Sequence, residues 1–592
     1  MMPKRAADGT NLRFRVTPAA IEPLENRTLL SNTWFVATNG NDSSPGTLQQ
    51  PYKTIQAAAN VAQWGDTVEI EGGTYRETVH PAHSGVTFTN YKGQTVTIAG
   101  TDQITGWSSN GGAIYKASMG WDLGEGNNQV FVDGQMVNEA RWPNSSPDLL
   151  HPTEATVGAY ANGVLYDQSI TQGNGFWAGA TITITPGDAW VAYTGVVNNS
   201  GPGWLQISLP NSGISQVETP VAGNSYFLSG KFQALDSAGE WYRDASGTLY
   251  LWDPASDNPA GHDIEVKHRQ YGFDLSGVAN TMIQGINLFA CTIHTDWASS
   301  GTVINSITAA YVTQFNNLWG NGWAPPGPYG IELQGANSIL ENSTIAFSAG
   351  DGVYVNAPNV RVTGNVIHDV DSSGTDAAGI RILGTNAMID HNTIYNTGRD
   401  GINLEAAPAQ VLNNVVHDFL LLTYDGAGIY TQRLNGQGSA IAYNTVYNAH
   451  KNNYEGLDAC GIMLDNDASG FSIHDNVTAN VDAGLKANNT SYNEQIYNNL
   501  FGATQYTIES NAWTGYAYNW SGTQLYSNVF YNSNLKLGTN VAQWSNVFAS
   551  GSPPLNVPAT AGSAIPTPEP TTPPATSSGG SVGATSGSGS AA

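Results

Sequence analysis

Between residues 331 and 488, apolar and polar positions alternate in short, repeated runs. They read Ile331-Glu332-Leu333-Gln334, Val353-Tyr354-Val355-Asn356, Ile380-Arg381-Ile382-Leu383, Ile402-Asn403-Leu404-Glu405, Ile429-Tyr430-Thr431-Gln432, Ile462-Met463-Leu464-Asp465 and Leu485-Lys486-Ala487-Asn488, each directly after a glycine. A period of two puts the first and third residues on one face of a strand and the second and fourth on the other. A second landmark, Asn365-Val366-Ile367-His368-Asp369, returns as Asn414-Val415-Val416-His417-Asp418. On these landmarks asparagines fall at 342, 365, 392, 414, 444, 476, 499 and 528, with an average spacing of about 27 residues. Strands of about four residues, turned by Gly, Asn and Asp and repeated at that spacing, predict an all-β fold: a right-handed parallel β-helix. Ile380, Ile402, Ile429 and Ile462 are expected to stack in its core. The asparagines are expected to form an internal ladder bonded to turn backbone.

The pattern changes toward both ends and in one interior stretch. Residues 32–149 read as N-terminal coils, where Ile55, Ala58, Ala59 and Ala62 at helical spacing predict a short amphipathic helix closing the open end of the solenoid. Longer alternating strands, such as Ala180-Thr181-Ile182-Thr183-Ile184 and Trp204-Leu205-Gln206-Ile207-Ser208, place an inserted β-sandwich-like module at 150–225. The main β-helix then occupies 226–550. Residues 551–592 run through Pro-Thr repeats into Gly, Ser and Ala, a composition that cannot bury a core and is expected to remain a tail. Residues 1–31 are basic at first (Lys4, Arg5, Arg13, Arg15) and lack a continuous apolar signal-peptide core. Their end, Asn26-Arg27-Thr28-Leu29-Leu30-Ser31, resembles the LEPR-XLL type of N-terminal element of exported bacterial proteins. That resemblance implies an export segment and a secreted or cell-surface location.

Composition narrows the function classes. Only 11% of the 592 residues are charged and 67 are glycine, which excludes a helical bundle. A net charge of −26 argues against nucleic acid as a partner. Two cysteines, Cys291 and Cys460, cannot build a disulfide framework, and no CxxC or Cys/His cluster offers a structural zinc site. No apolar stretch approaches the ~18 residues of a membrane span. A Ser-His-Asp order, a P-loop and a dinucleotide fingerprint are all missing from the sequence. A monomer without a cofactor is expected, with Ca²⁺ as the one cation the Asp-rich turns could recruit.

Stacking the strands converts the repeat into a chemical map, because residues at equal distance from the glycine lie above one another at about 4.8 Å per coil. Two residues beyond the glycine the column reads Glu332, Tyr354, Arg381, Asn403, Tyr430, Met463, Lys486. Four beyond it reads Gln334, Asn356, Leu383, Glu405, Gln432, Asp465, Asn488. Both columns are expected to face solvent, where amides, carboxylates and tyrosines suit sugar hydroxyls and ring faces. Asp376, Asp425 and Asp458 stand three residues before a glycine, with Asp458 in the coil next to Asp425. Hydrolysing a glycoside takes a carboxylic acid and a carboxylate about 5 to 9.5 Å apart. Asp425 and Asp465 lie in neighbouring coils on one side, and Glu405 is the reserve acid. Asp458 beside Asp425 is expected to raise the pKa of Asp425 and make it the acid, leaving Asp465 as nucleophile or base. Asp376, two coils from Asp425, reads as a turn residue outside the reaction. Arg399, Asp400, Asp458, Tyr430, Gln432, Arg381, Asn403, Lys486 and His417 are candidate substrate contacts. His368 and His417 recur at equivalent positions, which favours a structural role for them. Trp319, Trp323, Trp513 and Trp520 could supply sugar platforms or be core residues.

Three segments carry a family resemblance: Phe131-Val132-Asp133-Gly134 leading to Ala140-Arg141-Trp142-Pro143-Asn144, Gly239-Glu240-Trp241-Tyr242-Arg243-Asp244 leading to Gly247-Thr248-Leu249-Tyr250, and Asp425-Gly426-Ala427-Gly428-Ile429-Tyr430 leading to Gly461-Ile462-Met463-Leu464-Asp465. Over residues 33 to 550 the chain resembles the β-helix glycoside hydrolases of family 141 and their relatives in family 120. Those proteins carry an inserted β-sandwich and act on fucosides and xylans or xylosides. The resemblance implies a glycosidase on a neutral polysaccharide or oligosaccharide, and it favours the Asp425–Asp465 pair. Met463 and Asn466-Asp467 depart from the family's usual residues at those places. Two other classes compete on this fold: a lyase or epimerase acting on a uronate polymer, which needs a cation and a base, and a non-enzymatic carbohydrate-binding or adhesin module.

Overall fold

The computed structural model describes residues 31–209, 216–318, 322–324, 327, 329–450, 459–512, 518–531 and 534–555. Residues 1–30 of the expected export segment, residues 556–592 of the tail, and Asp458, Trp319 and Trp513 lie outside them. Each glycine-led run becomes a strand of a nine-stranded parallel sheet that climbs from Ile331–Leu333 to Leu535–Lys536. Two further parallel sheets, of 14 and 13 strands, complete the coils. The register is the one read from the repeat: Tyr354 pairs with Arg381, Arg381 with Asn403, Asn403 with Tyr430, Tyr430 with Met463 and Met463 with Lys486. Ile380, Ile402, Ile429 and Ile462 are fully buried in one continuous core. Glycine precedes these strands for steric reasons. A Cβ at Gly401 would lie 2.6 Å from the Gly428 carbonyl oxygen of the next coil and would overlap Val416.

The asparagines form the expected internal ladder. Asn414 Nδ2 donates to the Ile389 carbonyl (2.9 Å) and to Asn444 Oδ1 (3.1 Å), while its own Oδ1 accepts from the Asn392 backbone N–H (3.0 Å). The same pattern runs from Asn365 to Asn528 and ends on Asn546. Asn342 is not a rung. It occupies an exposed turn with φ of 53°, and its neighbour Ser343 takes the rung, donating its N–H to Asn365 Oδ1 at 3.0 Å. Asparagine is common at such positive-φ turns as well as in ladders, so its position alone does not separate the two uses. The helix Ile55–Val61 caps the solenoid as expected. Thr54 accepts the Ala57 N–H, and Ile55, Ala58 and Ala59 face inward.

The insert is wider than 150–225. Its strands begin at Thr101–Gln103 and end at Ile264–Lys267. They form two eight-stranded sheets, antiparallel except for one parallel pair between Gln135–Glu139 and Glu240–Arg243. The coil stack continues beneath this excursion without a gap, since Val96–Ala99 pairs in parallel with Asn287–Phe289. Residues 101–149 and 226–267 thus belong to the insert. Their strands of two to five residues match solenoid strands in length, and alternation within one strand carries no information about the direction of its partner.

Candidate active site

Arg399 occupies the turn just before the Asp400–Leu404 strand and is fully buried. Its guanidinium ion-pairs with Asp376, with Asp425 at 3.3 Å and with Asp400 at 3.6 Å, and its Nε donates to the Asp425 carbonyl at 2.5 Å. The rings of Trp323 and Tyr430 lie 5.4 and 5.2 Å from it. The acids meet because equivalent turns stack: Asp376 precedes Ala378–Ile382, Asp400 opens its own strand, and Asp425 precedes Ala427–Gln432. A buried guanidinium is tolerated only with such partners. Gly426 allows the approach, since a Cβ there would overlap Asp400 Oδ1. Burial drives the Asp400 carboxyl up to about 7, although Arg399 works in the opposite direction.

Asp465 ends the Cys460–Asp465 strand, in register with Gln432. It is 4% exposed. Tyr430 Oη and Asn466 Nδ2 donate to its Oδ2 at 2.8 and 2.7 Å, and Asn488 Nδ2 donates to its Oδ1 at 2.7 Å. Burial, and then the negative charge of Asp425, push its pKa above the usual carboxylate value, with the donors only partly offsetting them. Burial and then Asp465 and Asp425 likewise push the Tyr430 hydroxyl up. Two carboxyls therefore share one site in opposite surroundings. Asp425 has a cation against it, whereas Asp465 is buried among neutral donors.

Several expectations need correction. The outward columns face open solvent only in part: Asn403, Tyr430, Met463, Lys486, Asp465 and Asn488 are buried, whereas Arg381, Glu405 and Gln432 are half-buried and Asn356 is exposed. The insert covers the turns at one end of the stripe. Ala192 N–H donates to the Gly374 carbonyl (2.7 Å) and Tyr424 N–H to the Ala189 carbonyl (3.0 Å), and from a loop of the solenoid itself the Gly322 carbonyl accepts the Asp376 N–H (2.7 Å). This brings in Asp188, whose pKa is raised by burial and then by Asp425, and Trp323, whose indole N–H donates to Glu218 at 2.6 Å. Neither residue has a signal in the repeat, because both arrive through long-range packing. The pKa of Asp465 is raised by burial and then by Asp425, and Asp458, expected to act on Asp425, lies outside the described residues. Asp376 is also ion-paired, because Arg399 reaches one coil back to it and one coil forward to Asp425.

Glu405 is tied to Arg381 Nε at 2.7 Å, and Arg381 also donates to the Asp376 carbonyl at 2.7 Å. Lys486 faces Glu509 at 3.6 Å. His417 lies in the 13-stranded sheet, away from these residues. It stacks between Tyr395 (5.1 Å) and Tyr447 (4.9 Å) with Nδ1 on Asp418, so the recurrence of histidine there reflects an aromatic column. Trp520 is a core residue. Asn403 stands in register between Arg381 and Tyr430, 0% exposed, and neither its Oδ1 nor its Nδ2 has a partner among the described residues. A buried amide in that state calls for a guest with donors and acceptors, a hydroxylated molecule or water. A separate cavity of about 130 Å³ in the seam between insert and solenoid is lined by Glu139, Arg141, Glu154, Phe227 and Asn316, and neither Asp425 nor Asp465 reaches it.

Comparison with known proteins supports the fold. A family profile described as "Right handed beta helix region" matches residues 307–452, and one described as "Protein of unknown function (DUF1565)" matches residues 38–128. Over 71 residues the chain is 41% identical to the uncharacterised protein YwoF of Bacillus subtilis (strain 168), a match spanning 11% of this chain and 15% of that one. A solved structure described as a glycoside hydrolase is similar with a TM-score of 0.59 at 16% identity, over 83% of this chain and 96% of that chain. The complex of XylC with xylose is similar with a TM-score of 0.50 at 15% identity, over 87% of this chain and 86% of that chain. At such identities the likeness is one of fold, a right-handed parallel β-helix. Among the described residues no helix is long and apolar enough to cross a membrane.

Proposed function

We propose that the protein is an exported glycoside hydrolase acting on a neutral polysaccharide or oligosaccharide through Asp425 and Asp465. The observation that carries this reading is the unequal pair: a buried carboxyl with a raised pKa, and beside it a carboxyl ion-paired to a buried arginine. A buried carboxyl that holds its proton, beside a second carboxyl positioned by a cation, is the pattern of an acid and its partner. Asp465 delivers its proton to the leaving glycosidic oxygen as the bond to the sugar breaks. Asp425, steered by Arg399, attacks the sugar carbon or takes the proton of an attacking water. Asn403, Gln432 and Asn488 supply amides for sugar hydroxyls. Arg381, Arg399 and Lys486 are each already paired with a carboxylate of the chain, which favours an uncharged sugar over a uronate. The likeness to a xylose-bound protein favours a xylose-containing substrate over a fucoside.

A lyase or epimerase on a uronate polymer is the second reading, favoured by Arg381, Arg399, Lys486 and Tyr430 within one stripe. Against it, all three cations already face carboxylates of the chain. The test is incubation with neutral and uronic polysaccharides, following reducing ends and the ultraviolet absorbance of unsaturated uronates in parallel. The hydrolase reading predicts reducing ends from a neutral polymer without absorbance. Absorbance from a uronic polymer would establish the lyase, and retention of polymers without any cleavage would establish the adhesin.

A further inference from the structure

The insert carries a second constellation, unconnected with the carboxylates of the solenoid. Asp253 follows the Thr248–Trp252 strand, and the chain returns through a single 3₁₀ turn, Pro259–Gly261, to His262. One carboxylate oxygen each of Asp253 and Asp257 and one ring nitrogen of His262 lie within 4.8 Å of one another. His262 Nε2 is 2.9 Å from Asp257 Oδ1 and 3.9 Å from Asp253 Oδ1. Its other nitrogen, Nδ1, is 2.7 Å from Asp133 Oδ2. Asp133 sits in the two-residue turn between Val130–Val132 and Gln135–Glu139 and is held by the Asp263 N–H at 2.9 Å.

Two features separate this group from an ordinary cluster of surface acids. Asp253 is 0% exposed; its Oδ1 accepts the Ala255 N–H at 2.8 Å, and its Oδ2 has no hydrogen-bond partner among the described residues. A buried carboxylate oxygen left without a donor is costly, and a cation bound by this carboxylate would satisfy it. The histidine is also oriented as metal-bound histidines are, with one ring nitrogen on a carboxylate and the other turned toward the remaining ligands. Asp257 is exposed, so the remaining coordination positions are open to water.

We propose that Asp253, Asp257 and His262 bind a divalent cation of the zinc class, with Asp133 as the residue that orients His262. An imidazole in the ligand set favours Zn²⁺ over Ca²⁺ or Mg²⁺, which prefer all-oxygen sites. The ion would hold the 253–262 loop closed beside the Asp133 hairpin. The proposal stands independently of the reaction assigned to the solenoid.

The test uses the full chain, freed of metal with a chelator and titrated with Zn²⁺ by calorimetry, with thermal unfolding in parallel. The wild type should bind one more equivalent of Zn²⁺ than either Asp257→Asn or His262→Gln, and its unfolding temperature should rise with Zn²⁺ where theirs does not. Asp257 is at the surface, so Asp257→Asn keeps the test valid even if His262→Gln folds poorly. Asp133→Asn should weaken Zn²⁺ binding by about 10- to 100-fold, because asparagine accepts the same positive φ of 50° but is a weaker partner for the ring. Equal stoichiometry in the wild type and Asp257→Asn, no uptake by the wild type, or tighter binding of Ca²⁺ than of Zn²⁺ would each overturn the assignment.

Discussion

Asp425 and Asp465 differ in what each one holds: a guanidinium at 3.3 Å for Asp425, and a phenol and two amides for Asp465. If they divide the reaction as proposed, Asp425→Asn and Asp465→Asn should each lower kcat by ~10²-fold or more, since positioned acid–base catalysis contributes about 10²- to 10⁴-fold. The circular dichroism of the β-helix should be unchanged in both. In that division Asp465 would work protonated, so the rate should fall as pH rises through its raised pKa, and Asp465→Asn should lose that alkaline limb. A profile that instead loses its alkaline limb in Asp425→Asn would exchange the two roles. Asp376→Asn removes one of the carboxylates that hold Arg399 and frees the guanidinium that steers Asp425. Its kcat should fall between those of the wild type and Asp425→Asn, with KM little changed. A wild-type rate would return Asp376 to the turn residues.

At the scale of elements, the solenoid depends on side chains that finish the backbone's hydrogen bonding at every coil. Asn414→Ala would leave the buried Ile389 carbonyl and the Asn392 N–H without their side-chain partner. At about 1–3 kcal/mol for each unsatisfied group, a loss of about 3 kcal/mol is expected in urea unfolding. Asn342→Ala, in an exposed turn, should stay within about 0.5 kcal/mol. Equal effects of the two substitutions would contradict the ladder. Repetition made the ladder legible in the chain, but it did not separate a rung from the turn residue beside it. The Asp133-Gly134 pair between apolar runs is the local signal of a tight hairpin. Given its due weight, it marks the insert well before residue 150.

For the whole molecule, burial of acids sets the response to pH. Burial raises Asp351, Asp400 and Glu240 to about 7 and Glu494 to about 8. The folded chain therefore holds these protons more tightly than the unfolded chain, whose carboxyls titrate near 4. Their contribution to stability is full below about pH 4 and is lost as pH rises toward about 7 to 8. Acids held below the ordinary value although burial works against it, such as Asp102 beside His268 and Arg269, act at the other end, and their contribution is lost as pH falls below about 4. The unfolding temperature should thus be higher at pH 5 than at pH 8. Asp351→Asn, which keeps an oxygen for the Ala378 N–H, should flatten that slope. An unfolding temperature that rises from pH 5 to pH 8 would contradict the burial of these groups as protonated acids.

Alternation, glycine placement and the recurring asparagines determined the parallel β-helix, its register and the stacking of Ile380, Ile402, Ile429 and Ile462. These follow from a period-two strand repeated at nearly constant length, a property that neighbouring residues carry themselves. The same repeat put Asp425, Asp465, Tyr430 and Asn403 on one stripe. Whether that stripe is open or covered was a tertiary matter. Residues 186–192 and 322–324 reach it from far along the chain, and nothing in the strands announces their arrival. Because the pKa of a carboxyl depends on burial and on charges within a few ångströms, the contrast between the surroundings of Asp425 and Asp465, the contact of Asp376 with Arg399 and the approach of Asp188 and Trp323 were decided only by packing between distant parts of the chain.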